Sequence, residues 1–261
     1  MSPSSHVVSL VCVVLGGAPP PAPAPVRVMA YNVLYSSPAE GIDKSLEVIE
    51  KEAPEVLCLR ELTPGFAAAF RKRLGKDYPH LKLMPRKGGW GVGLASRHRL
   101  RRVERFAQKP HRMPGLEADV LVGGRTLKVA CLHLMPPGAT HRREDGLLET
   151  MRKNATLRKQ QAEALVERYS KARGPVLLFG DMNESRTQEA MTTFAAAGFA
   201  HACHGPDALC GDTWPGAASV VPSFVEIDHI LGRNLSLSGA KVLHGGGSDH
   251  FAVRASVAFP P

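Results

Sequence analysis

Asp181 and Asn183 follow the apolar run 175–179, and Ser248, Asp249 and His250 stand together near the C-terminus. Each turn sets a carboxylate beside a second polar group. That pairing suits hydrolysis of a phosphate ester, in which one group takes a proton from water and others meet the charge on phosphorus-bound oxygen. Asp228 lies between the two turns, and Asn32, Glu61 and His133 stand upstream, each at the end of a stretch that reads as a β-strand. A single residue of this kind is ordinarily a turn former or a helix cap. Six strand ends carrying an acid, an amide or an imidazole are more than independent turns require, and together they describe an active site.

The elements that must hold these residues follow from the hydrophobic pattern. Residues 26–31 alternate into Asn32, residues 45–51 read as a helix stopped by Pro54, and residues 55–60 form a strand leading into Glu61. After a helix over 66–74, short strands at 81–84, 91–96, 100–106, 118–122 and 127–134 are broken by Gly and Pro, with Gly123-Gly124 as a hairpin turn. This run reads as one antiparallel meander. A long amphipathic helix over about 146–171, a strand at 176–179, a helix over 187–197 and strands around 224–231, 240–243 and 251–257 complete the chain. Strand-rich halves with helices outside predict an α/β (α+β) fold, a two-sheet sandwich covered on both faces.

With 261 residues and 44% hydrophobic content the chain can bury a substantial core, and residues 26–261 read as one domain without internal repeats. A monomer is expected. The formal charge is +9, and none of it comes from the first 25 residues. A basic folded part favours phosphate-bearing or otherwise anionic partners. Residues 1–25 differ in composition: 7–15 are apolar, Gly16-Gly17-Ala18 are small, and 19–25 are only Pro and Ala. They read as a signal peptide and a stiff tether, although no Lys or Arg opens them, and so predict a secreted or periplasmic protein. The apolar run falls short of the roughly 20 residues that cross a bilayer, so no transmembrane segment is expected. Cys58 and Cys131 lie inside apolar strands and read as buried, inert thiols. Cys203 and Cys210 flank a loop of turn formers, where a local disulfide suits an oxidising compartment.

Val28-Met29-Ala30-Tyr31-Asn32, Leu57-Cys58-Leu59-Arg60-Glu61, Ala130-Cys131-Leu132-His133-Leu134, Gly180-Asp181-Met182-Asn183, Ile227-Asp228-His229-Ile230 and Ser248-Asp249-His250 occur in this order. Together they resemble the endonuclease/exonuclease/phosphatase superfamily, the group of type I deoxyribonucleases, abasic-site endonucleases, neutral sphingomyelinases and inositol polyphosphate 5-phosphatases. The resemblance spans about residues 26–258 and implies a four-layer αββα sandwich of two mixed β-sheets flanked by helices. One departure is Arg60, where the family often carries Gln before its acidic residue; Glu61 itself is retained. The resemblance and the side-chain chemistry together give the roles. Asn32, Glu61 and Asp249 are the candidate ligands of Mg²⁺, with Mn²⁺ as a substitute, because hard cations take oxygen donors. Asp181 is placed to orient or deprotonate water, Asn183 to position it, Asp228 to hold the His250 tautomer, and His250 and His133 to meet phosphate oxygens. Similar positions back up the site with Arg158 and Gln161, which share a helix face that reads equally as solvated.

The substrate is less defined. Between residues 71 and 112 fourteen Lys/Arg stand against two acids, which reads either as a phosphate-tracking surface ending at Arg112 or as a solvated face. Trp90 and Trp214 are candidates for the rim of the site, Trp214 equally for plain packing. Aromatic residues make up only 6%, too few to show a base-stacking platform. The favoured reading is a Mg²⁺-dependent DNA or RNA nuclease; the alternatives are the same core acting on a lipid or inositol phosphate, which predicts apolar surface loops near the site where the sequence shows no long apolar insertion, and a binding module without catalysis. The intact polar set argues against the last.

Overall fold

The computed structural model describes residues 24–106, 108–139, 146–204 and 208–260. The expected leader and tether, residues 1–25, lie outside this range except for Ala24 and Pro25. Among the described residues twelve strands form two six-stranded sheets. The first is ordered β11-β12-β1-β2-β4-β3, built from β1 (Val26–Asn32), β2 (Val56–Arg60), β3 (His80–Met84), β4 (Val92–Ser96), β11 (Ser236–Leu243) and β12 (Ala252–Ala258). The second is ordered β5-β6-β7-β8-β10-β9, from β5 (Arg99–Phe106), β6 (Gly115–Val122), β7 (Arg125–His133), β8 (Val176–Asp181), β9 (Ala200–His201) and β10 (Asp228–Arg233). Both sheets are mixed, with β1–β2 and β7–β8 parallel and the other pairs antiparallel.

Alternation along the strands assigns their faces. Val28, Ala30, Val56, Cys58 and Leu94 of the first sheet meet Leu116, Val120, Val129, Cys131 and Phe179 of the second in a common core between the sheets. The intervening residues Met29, Tyr31, Leu57 and Leu59 pack outward against Leu46, Ile49, Phe66 and Phe70 of helices α1 (Ala39–Glu52) and α2 (Pro64–Leu74). Ala130, Leu132 and Leu178 pack outward against Ala162, Leu165, Met191 and Phe194 of α3 (Leu147–Tyr169) and α4 (Glu189–Ala196). Four layers, helix, sheet, sheet and helix, result. Helix α2 starts where the sequence marks it: Thr63 Oγ1 accepts from the Phe66 amide, and Pro64 fills the first turn, where a missing N–H costs nothing.

Two expectations are corrected. The strands between residues 80 and 133 are not one meander, because β3 and β4 complete the first sheet and β5, β6 and β7 open the second. The chain changes sheets at Arg97 and His98, where the Arg97 amide bonds Glu55 O and the His98 amide bonds Ser96 Oγ. Cys58 and Cys131 are not free thiols but a disulfide, with Cα atoms 5.2 Å apart across the space between the sheets. Periodicity turns both residues inward; it does not say that β2 lies opposite β7. The Cys203–Cys210 disulfide is present as expected.

Candidate active site

Strand register brings the polar residues together. In the second sheet β7 pairs β8 with His133 opposite Asp181, and β8 pairs β10 with Asp228 opposite the same residue. In the first sheet Asn32 ends β1 opposite Arg60, which ends β2 and precedes Glu61. Gly180 allows the tight approach of β8 to β7, since a Cβ there would lie 2.1 Å from Leu132 O and its φ is +141°. Glu61 and Asn183 hold left-handed backbone, φ +56° and +53°, so both strands turn sharply just where their side chains enter the site.

Asn32 Nδ2 lies 3.0 Å from Asp181 Oδ2 and 3.3 Å from both Glu61 Oε1 and His250 Nε2, joining the two sheets through one amide. His250 Nδ1 is 2.8 Å from Asp228 Oδ2, and His133 Nε2 is 3.4 Å from Asp181 Oδ2. Behind them the Ser248 hydroxyl donates to Asn32 O at 2.6 Å and accepts from the His250 amide. Thr213 Oγ1 accepts from the Ile227 and Asp228 amides. The Asn183 amide N–H donates to Asp181 Oδ1, and its side chain donates to Leu134 O.

These contacts set the charge states. Burial raises the Asp181 carboxyl to about 7, with Asp228 and Glu61 adding to the rise against His250 and the Asn32 amide. Burial opposes charge on His250, but Asp228 and Asp181 outweigh it and lift the imidazolium to about 10. Burial, with Arg60 and His250 nearby, holds His133 well below its usual value and therefore neutral. Arg60 is fully buried behind the site, and its three guanidinium nitrogens lack hydrogen-bond partners among the described residues. Burial lowers it to about 9 in spite of Asp181 and Glu61.

The carboxylates open into a pocket of about 910 Å³ lined by Glu61, His133, Asp181, Asn183 and His250 on its polar side. Trp214 and Arg158 also line it. Trp214 stacks edge-on with Phe224, 5.4 Å between centroids. Arg158 is no solvated helix residue: its Nε bonds Glu184 Oε1 and its Nη1 bonds Met135 O. Gln161 Oε1 accepts from the Met135 amide. Arg112 lies apart, in a second pocket of about 500 Å³ with Arg86, Lys87, Arg105 and Trp90. Asp249 is half-buried, and its backbone carbonyl accepts from Gly216; its carboxylate is not among the ligand atoms of Asp181, Asp228 and His250 that converge within 4.8 Å. Asp212-Thr213-Trp214 resembles a family loop near the pocket, but sequence reasoning missed the hold of Thr213 on the start of β10, Ser248 as a bridge to Asn32, and Glu184, which also caps α4 through the Ala190 amide. Thr213 and Ser248 act through backbone groups of distant segments, and Glu184 through the Arg158 guanidinium of α3, which spacing does not reveal.

The family model for the endonuclease/exonuclease/phosphatase family matches residues 29–250. The chain belongs to this family. It is accordingly a hydrolase of phosphoester bonds, and enzymes of this family generally depend on a divalent metal ion. No curated protein matches the sequence. Among solved structures, D. rerio TDP2 complexed with single-strand DNA product superposes with a TM-score of 0.67 at 16% identity, covering 89% of this chain and 98% of that one. Sphingomyelinase C from Streptomyces griseocarneus gives 0.66 at 15%, covering 89% and 99%. The human Nocturnin catalytic domain with bound sulfate anion gives 0.66 at 19%, covering 90% and 95%. At these identities the likeness is one of fold.

Proposed function

We propose that the chain is a Mg²⁺-dependent phosphodiesterase, exported and acting as a monomer. The observation that carries this reading is the pairing of a carboxyl lifted to about 7, Asp181, with an imidazolium, His250, held by Asp228 at 2.8 Å. A base able to take a proton near neutral pH then sits beside a cation facing the same pocket.

The donor set fits a hard divalent ion. Glu61 presents a carboxylate at the mouth of the buried Asp181, Asp228 and His250 cluster, while Asn32 faces it through the amide nitrogen, its Oδ1 accepting from the Leu34 amide, so Asn32 would offer oxygen to the ion only with its amide turned over. When bound, the ion supplies positive charge that offsets the charge gained by the phosphate in the transition state. Asp181 takes the proton of the attacking water, and Asn183 holds the Asp181 carboxylate through its amide N–H. His250 presents its Nε2–H to phosphate oxygens, while Asp228 fixes the ring through Nδ1. Neutral His133 braces Asp181 from the other side.

One further feature bears on the substrate: the cationic pocket of Arg86, Lys87, Arg105 and Arg112 around Trp90 suits an anionic partner. This pocket adjoins Glu61, since Gly89 lies against the Glu61 carboxylate. An anionic group near the scissile phosphate fits there. The deciding experiment is hydrolysis by the full chain of bis(p-nitrophenyl) phosphate, plasmid DNA, single-stranded RNA and sphingomyelin, each with Mg²⁺ and with EDTA. Turnover that needs the metal supports the reading; silence on every ester overturns it.

A further inference from the structure

Among the described residues nine large apolar side chains are exposed, and their placement is uneven. Leu147, Leu148 and Met151, 55%, 73% and 41% exposed, sit on the first turns of α3. Val220, Val221 and Phe224, 101%, 51% and 61% exposed, sit on the loop between Trp214 and Asp228. Leu148 and Met151 line the catalytic pocket from α3 and Phe224 lines it from the loop before Asp228, so the two segments, with Leu147, Val220 and Val221 near these residues in sequence, are its lips. Tyr35 and Trp90 are exposed beside Glu61: the Tyr35 amide donates to Glu61 Oε2, and Trp90 follows Gly89. Leu209 alone lies elsewhere.

Water-exposed Leu, Val and Phe on two separate segments, gathered round one opening, form the kind of patch that soluble surfaces seldom keep without an occupant. The cations Arg86, Lys87, Arg105 and Arg112 line a second pocket with Trp90, whose neighbour Gly89 lies against Glu61 of the catalytic pocket, and the whole chain has a formal charge of +9. A strand of nucleic acid would use the cations and leave Leu147, Leu148, Val220 and Val221 facing its hydrated phosphates. A bilayer with anionic headgroups uses both, the cations at the headgroup level and the apolar tips at the acyl boundary.

We propose that the two lips form a membrane-docking surface, and that the phosphodiester hydrolysed is the headgroup linkage of a lipid in an anionic bilayer. The inference rests on the phosphodiesterase reading and names its substrate class. Docking lays the mouth of the pocket on the headgroups, so a phosphodiester at the surface reaches Asp181 and His250 while its acyl chains stay in the bilayer and its glycerol or sphingoid end lies against Leu148, Met151 and Phe224.

The test is co-sedimentation of the full chain in EDTA with vesicles of mixed phosphatidylglycerol and phosphatidylcholine, beside the double variant Leu147→Glu/Val220→Glu. Neither residue lines the pocket. The expected result is binding by the parent chain that weakens with salt and falls by about tenfold or more in the variant, with unchanged Mg²⁺-dependent turnover of soluble bis(p-nitrophenyl) phosphate and an unchanged melting temperature. A milder variant, Val221→Ser, should give a smaller loss. Equal vesicle binding by parent and double variant overturns the proposal, as does a parent that ignores vesicles but binds a single-stranded oligonucleotide, or one that hides the lips in a dimer that the variant dissociates. The soluble diester reports separately on the catalytic reading: vesicle binding without any turnover would keep the docking surface and remove the phosphodiesterase.

Discussion

His201 Nε2 lies 2.8 Å from Nδ1 of His229, and both rings are buried. The partners fix their tautomers. His229 Nε2 faces Glu184 O at 2.7 Å and must donate, so its Nδ1 accepts from His201 Nε2–H, while His201 Nδ1 accepts from the Cys203 amide. Every ring nitrogen is satisfied with both rings neutral, and a proton on either Nδ1 would break a bond. Burial, the largest cause, takes His229 down to about 4 and His201 to about 2 from the usual 6.5. A folded pKa below the unfolded one means that the unfolded chain binds more protons between the two values. The contribution of these two rings to stability should therefore be complete above pH 6.5 and decline from there to about pH 4, by about 3 kcal/mol for His229 alone. Urea unfolding across that range checks it, and His229→Gln should flatten the decline.

Asp181→Asn preserves shape and the bond to the Asn32 amide region but removes the base. Turnover of a soluble diester should fall by about 10²–10⁴ with little change in melting temperature. His250→Ala should lose a comparable factor. Near-normal rates in either variant would remove these residues from the mechanism.

Glu61→Gln keeps the turn at the end of β2 and deletes one negative charge at the mouth of the site. The Mg²⁺ titration of activity should move to higher concentration, and calorimetric Mg²⁺ binding should weaken about tenfold or more. An unmoved titration would place the ion elsewhere. EDTA should silence the parent chain reversibly.

Arg60→Met replaces a fully buried guanidinium that lacks hydrogen-bond partners by an apolar chain of similar length. Removing a desolvated charge should raise stability by about 1–3 kcal/mol in saturating Mg²⁺, read from urea midpoints. With less positive charge behind Glu61 and Asp181, Mg²⁺ should also bind more tightly. A destabilised variant would mean that Arg60 is needed as their counter-charge even when the ion is present.

The Cys58–Cys131 bridge ties β2 to β7 two residues before Arg60 and two before His133. Reduction, or Cys58→Ser with Cys131→Ser, should cost about 2–5 kcal/mol, and the melting temperature of the parent chain should fall on adding a reductant.

Much of the site was legible because each strand spends its apolar residues before a single polar one: β1 into Asn32, β7 into His133, β8 into Asp181. Periodicity marks where a strand ends and chemistry explains why the next residue is an acid or imidazole. What stayed hidden depends on which strands are neighbours. Nothing local says that β2 crosses over β7, so Cys58 and Cys131 looked like free thiols; nothing local says that His201 of β9 lies beside His229 of β10, or that the loop at Thr213 holds the start of β10. The lips were equally invisible, because Leu147 and Val220 are far apart in sequence and each alone is an ordinary surface residue.

The second sheet is one uninterrupted stretch, β5 to β10, inserted between strands of the first, and β1 sits between β2 and β12. As the chain is synthesised, the second sheet has all its strands while the first still lacks β11 and β12, and β1 must wait with one edge open until more than two hundred residues have followed it. The central pairing of the first sheet is thus a contact of long sequence separation, slow to form and exposed to mispairing in the meantime. His250 reaches the site only with that final closure, so hydrolytic competence arrives last, and a chain caught part-way through synthesis carries the second-sheet half of the site without the means to use it.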